Sequence, residues 1–299
     1  MLTIAGFALG VSALLTGELT RTGLVRPEAR AILLVLGILG AVLLFGGLVY
    51  TLVRQLRRRR VLPPDRYRGP SIVLLLAFAI LLANAATLPF TEDVNAIILG
   101  EGEPTLAAAI ALITSTQVAL LLVTWAFVLR PRAIAFAMPL LGNGRPRALA
   151  VGAGWGIVAW IVASALTYAI VLLLERVGLE PDQQAAERVI GFLEPWLVVL
   201  AVVILAPIAE EVFFRGVAFN AWLRERGRRF AYIGSASLFA AIHVSLVSLV
   251  PIFLIGLALA WVYRRTQSLV APIAMHATFN AISIAIALLV RYELIQLPV

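Results

Sequence analysis

Long apolar runs separated by short polar loops constrain the fold of this chain most. Most of these runs reach the ~20 residues that a helix needs to cross about 30 Å of hydrocarbon. Because backbone polar groups in lipid must be satisfied within the chain, such runs predict helices. We therefore expect an all-α, polytopic transmembrane bundle of about eight or nine helices. The runs cover residues 2–17, 31–53, 70–90, 104–129, 148–174, 195–222, 230–247, 249–263 and 268–290.

The composition agrees with a membrane protein, since 62% of the residues are hydrophobic and 13% are charged. The net charge of +8 would suit a nucleic acid. However, the arginines lie in short loops between the apolar runs, where the positive-inside rule expects them. We therefore expect no nucleic-acid partner. The absence of cysteine excludes disulfides, thiol catalysis and cysteine-ligated metals.

The charges of the loops indicate how the chain crosses the membrane, and one polar stretch indicates where it divides. Arginine-rich loops such as 54–68 and 224–229 alternate with loops that are acidic or uncharged. This pattern predicts a multi-pass integral protein, for which a prokaryotic cell membrane is the expected location. The stretch 175–194 divides the chain into residues 1–180, membrane helices of unassigned role, and residues 195–290. The short runs 2–17 and 249–263 leave open whether they fully span the bilayer.

Ionisable residues lie inside three of the apolar runs, all of them in the second part of the chain. An ionisable side chain at mid-bilayer costs roughly 2.5–3.5 kcal/mol on insertion scales. Such groups persist when they pair with one another or serve a function, so we expect one polar site assembled from several helices. The residues are Glu210, Glu211 and Arg215 in the run 195–222, His243 in the run 230–247, and His276 in the run 268–290.

The spacing within the first of these runs separates its two carboxylates. Glu211 and Arg215 are four residues apart, so they share a helix face and can form an ion pair. Glu210 is turned about 100° away from Glu211 and can face the interior of the bundle. There it could perform general acid–base chemistry. The alternative is that both glutamates and Arg215 form an ionic clamp between helices. Pro207 frees backbone groups nearby and favours a kink.

The two histidines stand at matching distances along the chain. His276 and Asn280 are four residues apart, and their N–H groups could donate to a developing oxyanion. Interhelical hydrogen bonds are the alternative for this pair. His243 follows Phe239 by four residues, and alone it could equally be a structural histidine. Glu210, His243 and His276 are spaced by 33 residues each time, so consecutive helices can bring them to similar depth.

Three motifs in this order resemble those of a known protease family. Each motif lies on its own apolar segment, and in chain order they are Glu210-Glu211-x-x-x-Arg215, Phe239-x-x-x-His243 and His276-x-x-x-Asn280. Together they are similar to the motifs of the CPBP (CAAX protease and bacteriocin-processing, or Abi) intramembrane proteases. That family includes the type II CAAX prenyl endopeptidases. The resemblance covers roughly residues 195–290.

The resemblance implies hydrolysis of peptide bonds in membrane-associated or lipidated, CAAX-like substrates, with membrane lipids as surroundings. In this family pattern Glu210 activates water with help from His243, and His276 and Asn280 stabilise the oxyanion. Glu211, Arg215 and Phe239 support them.

Two alternatives stay open beside this hypothesis. No cofactor is favoured, but Glu210, His243 and His276 could bind Zn²⁺ with an open position for water, as in a metalloprotease. The other alternative is a membrane scaffold or immunity protein without catalytic activity.

Overall fold

The computed structural model describes residues 27–93, 105–132, 145–176, 193–243 and 247–295. Within these ranges the chain is helical and contains no β-strand, which confirms the predicted all-α class. A 3₁₀ turn, Leu88–Phe90, follows the second helix, and a π-helical turn, Trp125–Leu129, follows the third. The helices are α1 (Pro27–Arg59), α2 (Ile72–Thr87), α3 (Leu106–Thr124), α4 (Arg145–Arg176), α5 (Pro195–Arg226), α6 (Arg228–Ala241), α7 (Leu249–Thr266) and α8 (Val270–Arg291).

Seven of the described helices are long and apolar enough to cross a membrane, which confirms the polytopic bundle. The predicted run 2–17 lies outside the described residues. The short run 249–263 becomes α7, whose 18 residues reach the length of a candidate span. Helix α6 is not among these seven helices.

The prediction of a spanning helix over 230–247 is wrong. Helix α6 has 14 residues, which at 1.5 Å per residue gives about 21 Å, less than the hydrocarbon thickness. It begins at Arg228, directly after Gly227. The φ of 83° at Gly227 ends α5 and separates it from α6. Instead of crossing alone, α6 packs on α7, where Gly256 lies against Ala236.

Two glycines allow α4 and α8 to pack at short range. A Cβ atom added at Gly152 would collide with the Ala271 carbonyl, and one at Gly156 would lie 2.6 Å from the Met275 carbonyl. This small-x-x-x-small spacing is typical of membrane helices whose backbones touch. Helix α4 is thereby held against α8, the helix that contains His276.

The hydrophobic core draws on both predicted parts of the chain. Leu52, Leu75 and Leu120 come from the first part, and Phe213 and Leu259 come from the second; all five are fully buried. They belong to one continuous cluster of buried side chains. The division into residues 1–180 and 195–290 is not tested by this packing and stays a prediction.

One end of the bundle is closed by contacts between basic loops. Arg59, the last residue of α1, pairs with Glu225 near the end of α5, at 2.8 Å between Nη1 and Oε1. Arg66 donates to the carbonyl of Arg224 at 3.2 Å, and Arg224 donates to the carbonyl of Asp65 at 3.3 Å. The loops 54–68 and 224–229 therefore lie on the same face of the bundle, as the alternation of loop charges predicts.

Candidate active site

Helix α5 has an irregular backbone around the predicted glutamates. A short α-helical segment, Ala206–Glu211, lies between two π-helical segments, Val199–Leu205 and Val212–Phe219. In π-helical turns the hydrogen bonds skip five residues instead of four, and such turns are frequent at functional sites. The spacing of the apolar and polar residues predicted a regular α-helix here and did not indicate either π-helical segment. Pro207 was the residue that indicated an irregularity.

The predicted pair of Glu211 and Arg215 is present. Arg215 Nη1 donates to Glu211 Oε1 at 2.6 Å, and neither side chain is exposed. Arg215 Nη2 donates to the carbonyl oxygen of Gly256 on α7 at 3.0 Å. A buried guanidinium is tolerated only when it is paired and hydrogen-bonded, and these contacts supply both conditions. Gly256 has no polar side chain, so sequence reasoning missed its role.

His276 on α8 completes this pair. Its Nδ1 lies 3.2 Å from the same Glu211 Oε1, and the residue is only 4% exposed. Because Glu211 is ionised in its pair with Arg215, the hydrogen bond requires a proton on Nδ1, with the carboxylate as acceptor. The first and third motifs are thus in direct contact through Glu211.

Phe239 on α6 contacts both histidines and the guanidinium. The Arg215 Cζ atom lies 4.6 Å from the centroid of the Phe239 ring. The His276 ring lies 5.6 Å from the same centroid, edge to face, and the His243 ring lies 4.8 Å from it. These separations are within the range of favourable aromatic and cation–π contacts. Phe239 therefore connects the second motif to the other two.

His243 does not lie inside a membrane helix, contrary to the sequence prediction. Helix α6 ends at Ala241, and His243 occupies the turn that follows, where the residue is exposed. Its Nδ1–H donates to the carbonyl oxygen of Phe239 at 2.7 Å. In the neutral imidazole this leaves a lone pair on Nε2, which is the atom available as a base.

Asn280 lies one helical turn after His276 on α8 and is half-buried. Its Nδ2 donates to the backbone carbonyl of Val202 in α5 at 2.8 Å. The interhelical hydrogen bond, which the sequence analysis gave as the alternative to an oxyanion donor, is therefore present. The amide has a second N–H that this bond does not use.

Glu210 is buried but is not part of the clamp. It is 8% exposed, and its Oε2 atom has no hydrogen-bond partner. Glu211 Oε2 and Arg215 Nε also lack partners. Buried polar atoms in proteins are normally satisfied, and exceptions often mark sites where water or substrate binds. The structure thus assigns the two neighbouring glutamates different environments.

The residues named as zinc ligands are not grouped closely in the part of the chain that the structure describes. Within the described ranges, no three histidine, aspartate or glutamate side chains stand close enough to hold an ion. The observed set of Glu210, His243 and His276 does not fit the compact arrangement that Zn²⁺ requires.

Comparison with known proteins supports the family resemblance. Residues 192–282 match a family model described as type II CAAX prenyl endopeptidase Rce1-like. The family resemblance is confirmed for this segment. It contains all three motifs and the whole cluster around Glu211.

A curated relative points the same way. The chain is 24% identical over 143 residues to a Bacillus subtilis (strain 168) protein named "Putative membrane peptidase YdiL". The match covers 47% of this chain and 58% of that relative. No solved structure matches the chain.

Proposed function

We propose that this protein is an intramembrane endopeptidase that hydrolyses peptide bonds in membrane-associated or lipidated, CAAX-like substrates. One observation supports this most. Glu211 contacts Arg215 and His276 through Oε1, while the adjacent Glu210 is buried and takes part in neither contact. A carboxylate that is free of ion pairs can accept a proton from water, whereas one held by a guanidinium cannot do so easily.

The proposed reaction begins with Glu210 as the general base. Its carboxylate accepts a proton from a water molecule, and the water oxygen attacks the carbonyl carbon of the scissile bond. The Nε2 lone pair of His243 is the second candidate to accept a proton from that water. The protonated Glu210 then donates its proton to the leaving nitrogen, and the carbon–nitrogen bond breaks. The products are a carboxylic acid and an amine.

The oxyanion formed in this step needs donors, and α8 offers two. His276 directs its Nδ1–H at Glu211, so Nε2 can donate to the oxyanion only when the ring is an imidazolium. Asn280 would contribute its second N–H. Each such donor is typically worth about 3–4 kcal/mol in the transition state.

Proteolysis by the purified, detergent-solubilised protein on a panel of lipidated and transmembrane peptides tests this proposal. The decisive variant is Glu210→Gln, which keeps the shape of the side chain but cannot act as a base. The matched control is Glu175→Gln, an exposed glutamate at the end of α4. We expect Glu210→Gln to abolish cleavage with unchanged thermal unfolding, and Glu175→Gln to change neither. Cleavage that persists in Glu210→Gln refutes the assignment.

The same assay separates the zinc alternative. Each reaction is run with and without a chelator, and Zn²⁺ is then added back. Under the proposal, cleavage survives chelation and is lost only in Glu210→Gln. Cleavage that is lost on chelation and restored by Zn²⁺ would instead support a metalloprotease. A well-folded protein that cleaves none of the peptides would favour the non-catalytic scaffold or immunity role.

A further inference from the structure

One backbone carbonyl in α5 receives no hydrogen bond from its own helix. The N–H of Ala206 donates to the carbonyl of Ala201, five residues earlier. The next residue, Pro207, has no N–H. The carbonyl of Val202 would accept from residue 206 in an α-helical ladder and from residue 207 in a π-helical ladder. Neither residue donates to it.

Asn280 supplies the missing donor from another helix. Its Nδ2 atom lies 2.8 Å from the Val202 carbonyl oxygen, 78 residues away in sequence. One N–H of the amide is directed at this carbonyl, so the direction of the other N–H is fixed by the planar geometry of the group. One turn earlier on α8, His276 is held by Glu211. Both candidate oxyanion donors are therefore anchored to α5.

We propose that Pro207 is a positioning residue for Asn280: because it lacks an N–H, it leaves the Val202 carbonyl free to anchor the Asn280 amide. This inference rests on the proposed function, in which Asn280 donates to the oxyanion. An amide that is already oriented loses no freedom when charge develops, which is the condition for effective oxyanion stabilisation. A residue with an N–H at position 207 would compete for the same carbonyl and release Asn280.

The chain offers a matched control for this test. Pro207 and Pro272 both occur in an Ala-Pro-Ile-Ala run. Pro272 lies in the first turn of α8, where backbone N–H groups have no partner within the helix in any case. The carbonyl four residues earlier, that of Ser268, lies 3.4 Å from Thr266 Oγ1, so an N–H introduced at position 272 does not compete for the carbonyl that anchors Asn280. Pro272→Ala reports the general cost of losing a proline in this sequence.

Two substitutions at position 207 isolate the missing N–H. Pro207→Ala removes the ring and adds an N–H. Lactic acid placed at position 207 by nonsense suppression has the alanine side chain but an ester oxygen in place of the N–H. We expect Pro207→Ala to lower kcat on the order of tenfold or more, with little change in KM, as for loss of an oxyanion donor. We expect lactic acid to restore kcat and Pro272→Ala to leave it unchanged.

The hydrogen bond between Asn280 and the Val202 carbonyl can also be tested without an activity assay. In protein with isotope-labelled asparagine, hydrogen exchange of the Asn280 side-chain amide should quicken in Pro207→Ala but not in Pro272→Ala. The inference is overturned if exchange is equal in the two variants, or if lactic acid fails to restore kcat. Failure of the proposed function gives a different result, since Glu210→Gln would then keep its activity. If Glu210→Gln is inactive and Pro207→Ala is fully active, only the positioning role is refuted.

Discussion

The Nδ1 atom of His276 lies 3.2 Å from Oε1 of Glu211, although 65 residues separate them in sequence. The same oxygen accepts from Arg215, which in turn donates to a carbonyl of α7. Glu211 therefore joins α5, α7 and α8 at one buried point. This arrangement supports a structural role for Glu211, with Glu210 as the proposed general base.

Glu211→Gln should therefore reduce stability much more than Glu210→Gln does. It removes the carboxylate that is hydrogen-bonded to the fully buried Arg215, and breaking such a pair typically costs about 3–5 kcal/mol. Thermal unfolding in detergent measures the loss. The matched control is Glu225→Gln, which breaks the partly exposed pair with Arg59 and should cost at most about 1 kcal/mol. Equal losses in the two variants would show that Glu211 is not part of a buried clamp.

Phe239→Leu should weaken the same cluster through its aromatic face. The Arg215 guanidinium lies 4.6 Å from the Phe239 ring in a buried site, where a cation–π contact is worth about 2 kcal/mol. Arg226 lies at the same 4.6 Å from Phe230, but Phe230 is exposed. Phe230→Leu should therefore cost only about 0.5–1 kcal/mol. The free energies of unfolding of the two variants test this prediction. A larger loss of stability in Phe230→Leu than in Phe239→Leu would contradict it.

Three glycines in α4 should respond differently to the same small change. Gly156→Ala places a methyl group 2.6 Å from the Met275 carbonyl, so it should force α4 and α8 apart and destabilise the fold, by about 1–3 kcal/mol. Gly152→Ala should behave alike. At Gly154 the added Cβ meets nothing within 4 Å. Gly154→Ala should instead stabilise the helix by up to about 1 kcal/mol. Unfolding measurements on all three variants test the predicted change of sign.

The contacts between the basic loops predict the arrangement across the membrane. The chain has no cysteine, so single cysteines can be labelled without background. Arg60→Cys and Arg228→Cys should react with an impermeant maleimide from the same side of oriented vesicles. Glu92→Cys, at the far end of the span Ile72–Asp93, should react only from the opposite side. Labelling of Arg60→Cys and Arg228→Cys from opposite sides would contradict the observed packing.

Local spacing was sufficient to predict several features of the site. Residues four apart on a helix share a face whatever surrounds them, so the pair of Glu211 and Arg215 could be read directly. The different direction of Glu210 followed from the same helical period of 3.6 residues per turn. His243 could not be placed this way, because an apolar run of suitable length does not show that its helix ends at Ala241. Its exposure in the turn after α6 is a property of the folded chain.

By itself, the sequence determined the helical class, most of the membrane-spanning runs and the pairing of Glu211 with Arg215. These properties depend on hydrophobicity and on the period of the helix, which are local. Only the tertiary structure decided that His276 also contacts Glu211, and that Asn280 donates to the Val202 carbonyl. These contacts join atoms of α5 and α8 that are 65 and 78 residues apart. One of the two acceptors is a backbone oxygen, which any residue type provides, so no side-chain pattern could reveal it.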